Sequence, residues 1–208
     1  MSLKGVKNIF FDLGGVLVDL EKARCIKEFS DQGISNAETR IERSHKTGLF
    51  LALETGSISV TEFHDQFRKI AGCFISDENI DRTWNLYLGE VHPKKIDLLK
   101  KLRSQYHVYM LSNTSKIHFD YLKNHTFLKE KGCAIEDCFD KCYLSYELHL
   151  YKPDPKIYEY VLNDNSSKAS ECLFIDDDEL NIEAAKNLGF KTCLYKSMDD
   201  LKELFGEF

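Results

Sequence analysis

Four short stretches carry groups that could do chemistry, and each follows an apolar run. Asp12 stands in Ile9-Phe10-Phe11-Asp12-Leu13-Gly14-Gly15. A carboxylate ending an apolar run, ahead of two glycines, suits a nucleophile or metal ligand held at a tight backbone turn. The same composition also makes a plain turn after a buried strand. Leu111-Ser112-Asn113-Thr114-Ser115 sets hydroxyls and an amide where a strand would pass into a helix. Such groups either hold phosphate oxygens at a helix N-terminus or cap the helix. Tyr151-Lys152-Pro153 places an ammonium before a proline, where it could balance a phosphoryl charge or lie solvated. Asp176-Asp177-Asp178-Glu179 closes the apolar run Phe174-Ile175. Adjacent carboxylates repel unless a cation is near, and hard oxygen ligands around a small cation point to Mg²⁺. One of the three aspartates can instead cap the following helix.

These groups need a frame. Apolar runs at 8–13, 108–112, 142–145, 172–176 and 191–195 read as buried strands. Helical patterns cover 117–124, 155–163 and 179–188, the last stopped by Gly189. Strands alternating with helices predict an α/β fold, a doubly wound parallel sheet covered on both faces. In such a sheet ligands bind outside the carboxyl ends of the strands, where all four stretches fall. Roughly 95 residues separate the first run from the second, far more than one crossover helix needs. That interval holds helical patterns at 21–29, 37–54, 60–71, 77–89 and 93–105. The last is expected to return to the sheet. The others carry apolar faces of their own, including Phe50, Phe63, Phe67 and Trp84. The expected organisation is a core of residues 1–17 and 89–208, with a helical cap at 18–88.

The 208 residues carry a net charge of −6. Nucleic acid and anionic membranes are therefore poor partners, because both need a basic face. No long apolar leader or span of about 20 apolar residues occurs, so a cytoplasmic protein is expected. The seven cysteines are odd in number and scattered, which suits reduced, buried thiols. The spacing of Cys133, Cys138 and Cys142 matches no paired zinc site. The sequence sets no oligomeric state.

Taken together and in order, the stretches resemble the motifs of the haloacid dehalogenase superfamily, mostly phosphotransferases. They are Asp12-Leu-Gly-Gly-Val-Leu, Leu-Ser112-Asn113-Thr, Lys152-Pro, and Asp176-Asp177 with Asn181 downstream. The likeness spans nearly the whole chain. Leu53-Glu54-Thr55-Gly56-Ser57-Ile58 is similar to the cap of the α-D-glucose-1-phosphate phosphatases and of the phosphatase domain of soluble epoxide hydrolase. The resemblance implies a Rossmann-like core with an inserted helical cap, acting on a small phosphorylated molecule. By that resemblance Asp12 attacks phosphorus and becomes an aspartyl phosphate, which water then hydrolyses. Mg²⁺ would be held by Asp12, the Gly14 carbonyl and Asp177. Ser112 and the Asn113 amide would hold phosphate oxygens, Lys152 would contact Asp12 and the phosphoryl group, and Asp176 would orient the lysine or a water.

One position departs from the pattern. Most phosphatases of the superfamily carry an acid two residues after the nucleophile, and here that residue is Gly14. A positioned acid/base contributes on the order of 10²–10⁴-fold in rate. Three readings stay open: a slow enzyme, an enzyme for esters with good leaving groups such as sugar 1-phosphates, or a binding protein that has lost catalysis. A haloacid dehalogenase also lacks that second acid, but halide displacement needs no metal and leaves Asp176-Asp177 unexplained. A phosphomutase would need the missing acid. His118, Phe119 and Tyr121 follow the second motif and could line the pocket; His118 is expected on a helix surface rather than at the ligand.

Overall fold

The computed structural model describes residues 3–42 and 47–208. Strand β1 (Asn8–Phe11) is entirely buried. The short strand β2 (Val18–Leu20) follows, then helices α1 (Lys22–Asp31), α2 (Ala37–Glu42), α3 (Gly48–Glu54), α4 (Val60–Ala71) and α5 (Asp77–Asn85). Strand β3 (Leu88–Val91) pairs antiparallel with β2. The chain then winds through α6 (Pro93–Arg103), β4 (His107–Ser112), α7 (Lys116–Tyr121), β5 (Lys141–Leu144), α8 (Ser145–Leu148) and α9 (Pro155–Asp164). It ends with β6 (Cys172–Asp176), α10 (Glu179–Asn187), β7 (Lys191–Leu194) and α11 (Met198–Phe205).

The main sheet runs β5-β4-β1-β6-β7, and all its pairs are parallel. Strand periodicity sorts its side chains onto two faces. Ile9, Phe11, Val108, Met110, Leu173 and Ile175 point to one side, where Ile96 and Leu99 of α6 and Leu201 of α11 cover them. Phe10, Tyr109, Leu111 and Phe174 point to the other, against Ile157 and Val161 of α9 and Ala185 of α10. Burial on both faces is why these strands read as unbroken apolar runs. β1 lies at the centre, so its carboxyl end is flanked by those of β4 and β6.

Helices α1–α5 share a third apolar cluster. Phe29, Phe50, Phe63, Phe67, Ile80 and Trp84 are its buried members. The Trp84 ring packs 4.4 Å from Phe50 and 5.2 Å from Tyr87 between centroids. Helix α4 has well-formed ends. Ser59 and Glu62 make a reciprocal capping box, and Gly72 closes it in the left-handed region at φ 72°.

Three expectations need correction. The helical pattern at 77–89 stops at Asn85, and its last residues enter β3 instead. Gly89 suits that strand, since a Cβ there would lie 3.0 Å from the Asp19 carbonyl. The stretch 37–54 is not one continuous helix: α2 and α3 are its described parts, and residues 43–46 lie outside the described residues. Helix α7 ends at Tyr121 and passes into a π-helical segment, Leu122–Glu130. The C-terminal helix α11 and the β2–β3 ribbon were not anticipated.

Replacing Trp84 by Ala should remove the centre of the helical cluster. An equilibrium urea titration should show a loss of about 3–5 kcal/mol. A loss under about 1 kcal/mol would mean that the cluster does not depend on this ring.

Candidate active site

Asp12 leaves the end of β1, and its amide donates to the Ile175 carbonyl of β6 at 2.9 Å. The chain then turns sharply, with the Gly15 amide donating to Val18 O at 2.8 Å. Gly15 sits at φ 77°, and a Cβ there would lie 2.2 Å from Asp177 Oδ2. Glycine at 15 therefore lets the carboxylate after β6 approach the turn after β1.

Lys152, in the loop between α8 and α9, is held by Asn113. The Lys152 amide donates to Asn113 Oδ1 and Asn113 Nδ2 donates to the Lys152 carbonyl, both at 2.9 Å. The Lys152 ammonium reaches Asp12 Oδ1 at 2.9 Å and Asp176 Oδ2 at 2.6 Å. Asp12 Oδ1 also accepts from the Leu13 amide at 2.7 Å. Asp176 is fully buried. Its Oδ1 accepts from the Asp178 amide at 2.8 Å and from Asn181 Nδ2 at 3.0 Å. Asp176 is thus committed to orienting Lys152, whereas Asp177 faces outward. Asp178 caps α10, its side chain accepting from Leu180 N at 2.8 Å. The triple-aspartate run therefore divides into three separate tasks.

Carboxylate oxygens of Asp12, Asp176 and Asp177 lie within 4.8 Å of one another. Three carboxylates against one ammonium leave a net charge of −2 when all are ionised (−3 + 1). Burial raises the Asp12 carboxyl well above the usual carboxylate range; Lys152 pulls it back, and Asp176 and Asp177 push it further up. Asp177 is raised as well, first by burial and then by Asp176. Burial alone would lower the Lys152 ammonium, but Asp12 and Asp176 outweigh it and hold it raised. A small divalent cation on oxygen ligands would cancel the surplus charge, so the donor set fits Mg²⁺.

Above this cluster lies a cavity of about 220 Å³. Asp12, Gly14, Ser112, Asn113 and Asp177 line its floor. Ser112 is buried, with its Oγ 3.5 Å from the Asn113 carbonyl, the long limit for a hydrogen bond. Ser115 caps α7 through a bond from His118 N at 3.3 Å. In this second motif the capping thus falls to Ser115, and Ser112 and Asn113 stand at the cavity.

A family model for haloacid dehalogenase-like hydrolases matches residues 6–189. The chain belongs to the haloacid dehalogenase-like hydrolases. It is 38% identical over 187 residues to the D-ribitol-5-phosphate phosphatase of Bacteroides thetaiotaomicron, with 90% of each protein covered. A crystal structure of a haloacid dehalogenase family enzyme from the same organism, in complex with magnesium and inorganic phosphate, superposes with a TM-score of 0.90. It is 40% identical, covering 96% of this chain and 99% of that one. A hydrolase of the family from Porphyromonas gingivalis has a TM-score of 0.84 at 34% identity, with 90% of each chain covered.

All four motifs of this hydrolase converge on one edge of its sheet. The sequence reading also needs additions here. His118, expected on a helix surface, is buried: its ring stacks 4.4 Å from Trp84 and its Nε2 lies 3.1 Å from the Trp84 carbonyl. Glu54, Tyr87 and Tyr151 line the cavity and carry no site signal in the sequence, whereas His118, one of three residues offered as pocket lining, is in the lining too. Glu54 and Tyr87 follow no strand of the main sheet, and Tyr151 reads only as a neighbour of Lys152; a buried aromatic or acid in such places leaves no signal separable from core. Asn181 belonged to the fourth motif, yet its bond to Asp176 is visible only in the fold.

No described helix is long and apolar enough to cross a membrane.

Two outcomes follow from this geometry. A carboxyl whose folded pKa lies above its unfolded value, about 4, contributes stability below that value and loses it as pH rises through the folded pKa. Mg²⁺ needs the ionised form and should reverse that loss. The rise in Tm on adding Mg²⁺ should be larger at pH 8 than at pH 5 in a calorimetric scan; equal rises would contradict the raised carboxyls. Gly15→Ala should destabilise the protein by about 1–2 kcal/mol. It should also shrink the Mg²⁺-induced Tm rise, because its methyl displaces Asp177. An unchanged rise would separate Gly15 from the site.

Proposed function

We propose that this chain is a Mg²⁺-dependent phosphatase that hydrolyses the phosphate ester of a small metabolite through an aspartyl-phosphate intermediate. The observation that carries the reading is the cluster of Asp12, Asp176 and Asp177 around Lys152, with its surplus charge of −2. Family membership and the named activity of the Bacteroides relative support the same chemistry.

An Asp12 oxygen attacks phosphorus in line, the bond from phosphorus to the leaving oxygen breaks, and the alcohol departs with a proton taken from solvent. Water then attacks the acyl phosphate, gives up a proton to solvent, and releases inorganic phosphate and free Asp12. Dividing the reaction in this way is covalent catalysis. Mg²⁺, held by Asp12, Asp177 and the Gly14 carbonyl, supplies positive charge to the phosphoryl oxygens. Lys152 neutralises charge on Asp12 and on the phosphoryl group, while Asp176 and Asn113 fix its position. Ser112 and the Asn113 amide hold the remaining phosphate oxygens. Most of the rate comes from this placement and neutralisation. Residues 1–17 and 89–208 act as the catalytic core, and 18–88 as a cap whose own apolar cluster lets it cover the site as a unit.

Gly14 leaves the leaving oxygen without the usual neighbouring acid. Esters whose leaving oxygen needs little help from an acid should therefore react best.

The enzyme should release phosphate from p-nitrophenyl phosphate with Mg²⁺ and stop in EDTA. Asp12→Asn should lower the rate by at least about 10³-fold. Retained hydrolysis in Asp12→Asn would remove the nucleophile assignment. Phosphate binding without any turnover would instead favour the binding-protein reading that Gly14 allows.

A further inference from the structure

Leu20, Lys22, Glu54, Tyr87 and Leu88 bring the helical insert to the lining of the cavity. Glu54, the last residue of α3, is 1% exposed. A carboxylate that deeply buried needs hydrogen-bond donors around it. Tyr151 supplies one, its hydroxyl donating to Glu54 Oε2 at 3.0 Å. Tyr151 immediately precedes Lys152, so the loop that sets the ammonium on the phosphoryl side also sets the carboxylate on the opposite side. The backbone of the same segment is fastened to the core. Ser145 Oγ donates to the Glu54 carbonyl at 2.6 Å, and His149 Nδ1 lies 3.1 Å from the Thr55 carbonyl. Gly56 lies so close to the core that a Cβ would fall 2.2 Å from Tyr146 O. Glu54 is therefore a held group, and it is one of the residues lining the cavity that also contains Asp12.

Beside Leu20, Leu88 and Leu122, the lining carries polar and acidic groups. Tyr87 and Tyr151 keep their phenolic protons, because burial and then Glu54 push both hydroxyls well above their ordinary range. Glu54, Asp177 and Asp178 give the lining its negative charge, and exposed Lys22 stands among them at the cavity. A second anionic group on the substrate would meet these carboxylates in a partly desolvated space, where like charges interact strongly. Hydroxyl groups, by contrast, can donate to Glu54 and to the phenolic oxygen of Tyr151, whose own proton is given to Glu54.

We infer that Glu54, positioned by Tyr151, is the specificity residue of this site, accepting hydroxyl protons of a neutral polyhydroxylated leaving group and rejecting phosphate esters that carry a second anion. The inference rests on the phosphatase reading and assigns the part of the substrate beyond the phosphoryl group. Asp12 and Lys152 hold the reacting atoms; Glu54 reads the remainder.

The test compares wild type with Glu54→Gln on three esters: an alditol phosphate, p-nitrophenyl phosphate and 3-phosphoglycerate. The readout is the ratio of kcat/KM between esters, which cancels any loss common to all of them. A hydrogen bond to a charged acceptor lost on substitution corresponds to about 10–100-fold. The ratio of alditol phosphate to p-nitrophenyl phosphate should fall by that factor. The ratio of 3-phosphoglycerate to p-nitrophenyl phosphate should rise. A parallel calorimetric titration should show the affinity for the alditol phosphate, relative to inorganic phosphate, falling by a similar factor. This second readout needs no turnover, so it judges Glu54 even if the phosphatase reading fails. Ratios unchanged in both measurements, or equal loss on all three esters with unchanged relative binding, would overturn the inference. Tyr151→Phe, which keeps the carboxylate but not its anchor, should move the same ratios in the same direction by a smaller factor; unchanged ratios would remove Tyr151 as the positioning group.

Discussion

The ammonium of Lys152 lies between Asp12 and Asp176, out of reach of solvent, and the site is organised around that placement. An ammonium in such a position is expensive to desolvate and is held only by close carboxylates and fixed geometry. Both carboxylates come from strands at the middle of the sheet, one after β1 and the other at the end of β6. The lysine comes from a loop and must be brought to them, which Asn113 does by clamping its backbone from both sides. Removing one member leaves an uncompensated buried charge, a loss of about 3–5 kcal/mol in comparable cases. Fold and chemistry are thus coupled through a single triad.

That coupling also explains the division of labour in the aspartate run. Asp176 faces inward and is consumed by Lys152, Asn181 and the Asp178 amide. Asp177, one residue on, lies past the end of β6 and stays exposed, with a carboxylate oxygen within 4.8 Å of those of Asp12 and Asp176. Asp178 turns back to cap α10. Three identical residues therefore do three different jobs, decided by backbone direction alone. The surplus negative charge left on Asp12 and Asp177 is the physical reason for a divalent cation.

Residues of the helical insert line the cavity above the carboxylate cluster. Glu54 and Thr55 are bonded to Ser145, His149 and Tyr151 of the core segment 145–151, and Gly56 lies against Tyr146. Because the same segment leads into Lys152, the groups around the phosphoryl site and those around the leaving group share one support. His118 extends the connection. It belongs to the helix after the second motif, yet its ring stacks on Trp84 of the insert.

Much of this was written in local pattern. The five strands of the main sheet, helices α4, α9 and α10, and the meeting of Asp12, Lys152 and the aspartate pair follow from apolar runs and from what stands at their ends. Such runs are legible because both faces of a parallel sheet are buried, so the middle of each central strand is apolar, with polar residues confined to its ends. The β2–β3 ribbon was not legible: three or four residues paired across a long insertion leave no local signature, and Leu86-Tyr87-Leu88 continues a helical period equally well. Nor were the roles of Glu54, Tyr87, His118 and Tyr151. Each is a polar or aromatic residue on a helix or loop, where the sequence cannot separate a cavity wall from core. The sequence alone determined which residues could attack, neutralise and coordinate. Only the tertiary structure decided which carboxylate serves the lysine, which faces the metal position and which residue of the insert looks down on them. Those choices depend on side-chain direction and on approach between segments more than 90 residues apart, as with Glu54 and Tyr151 at a separation of 97.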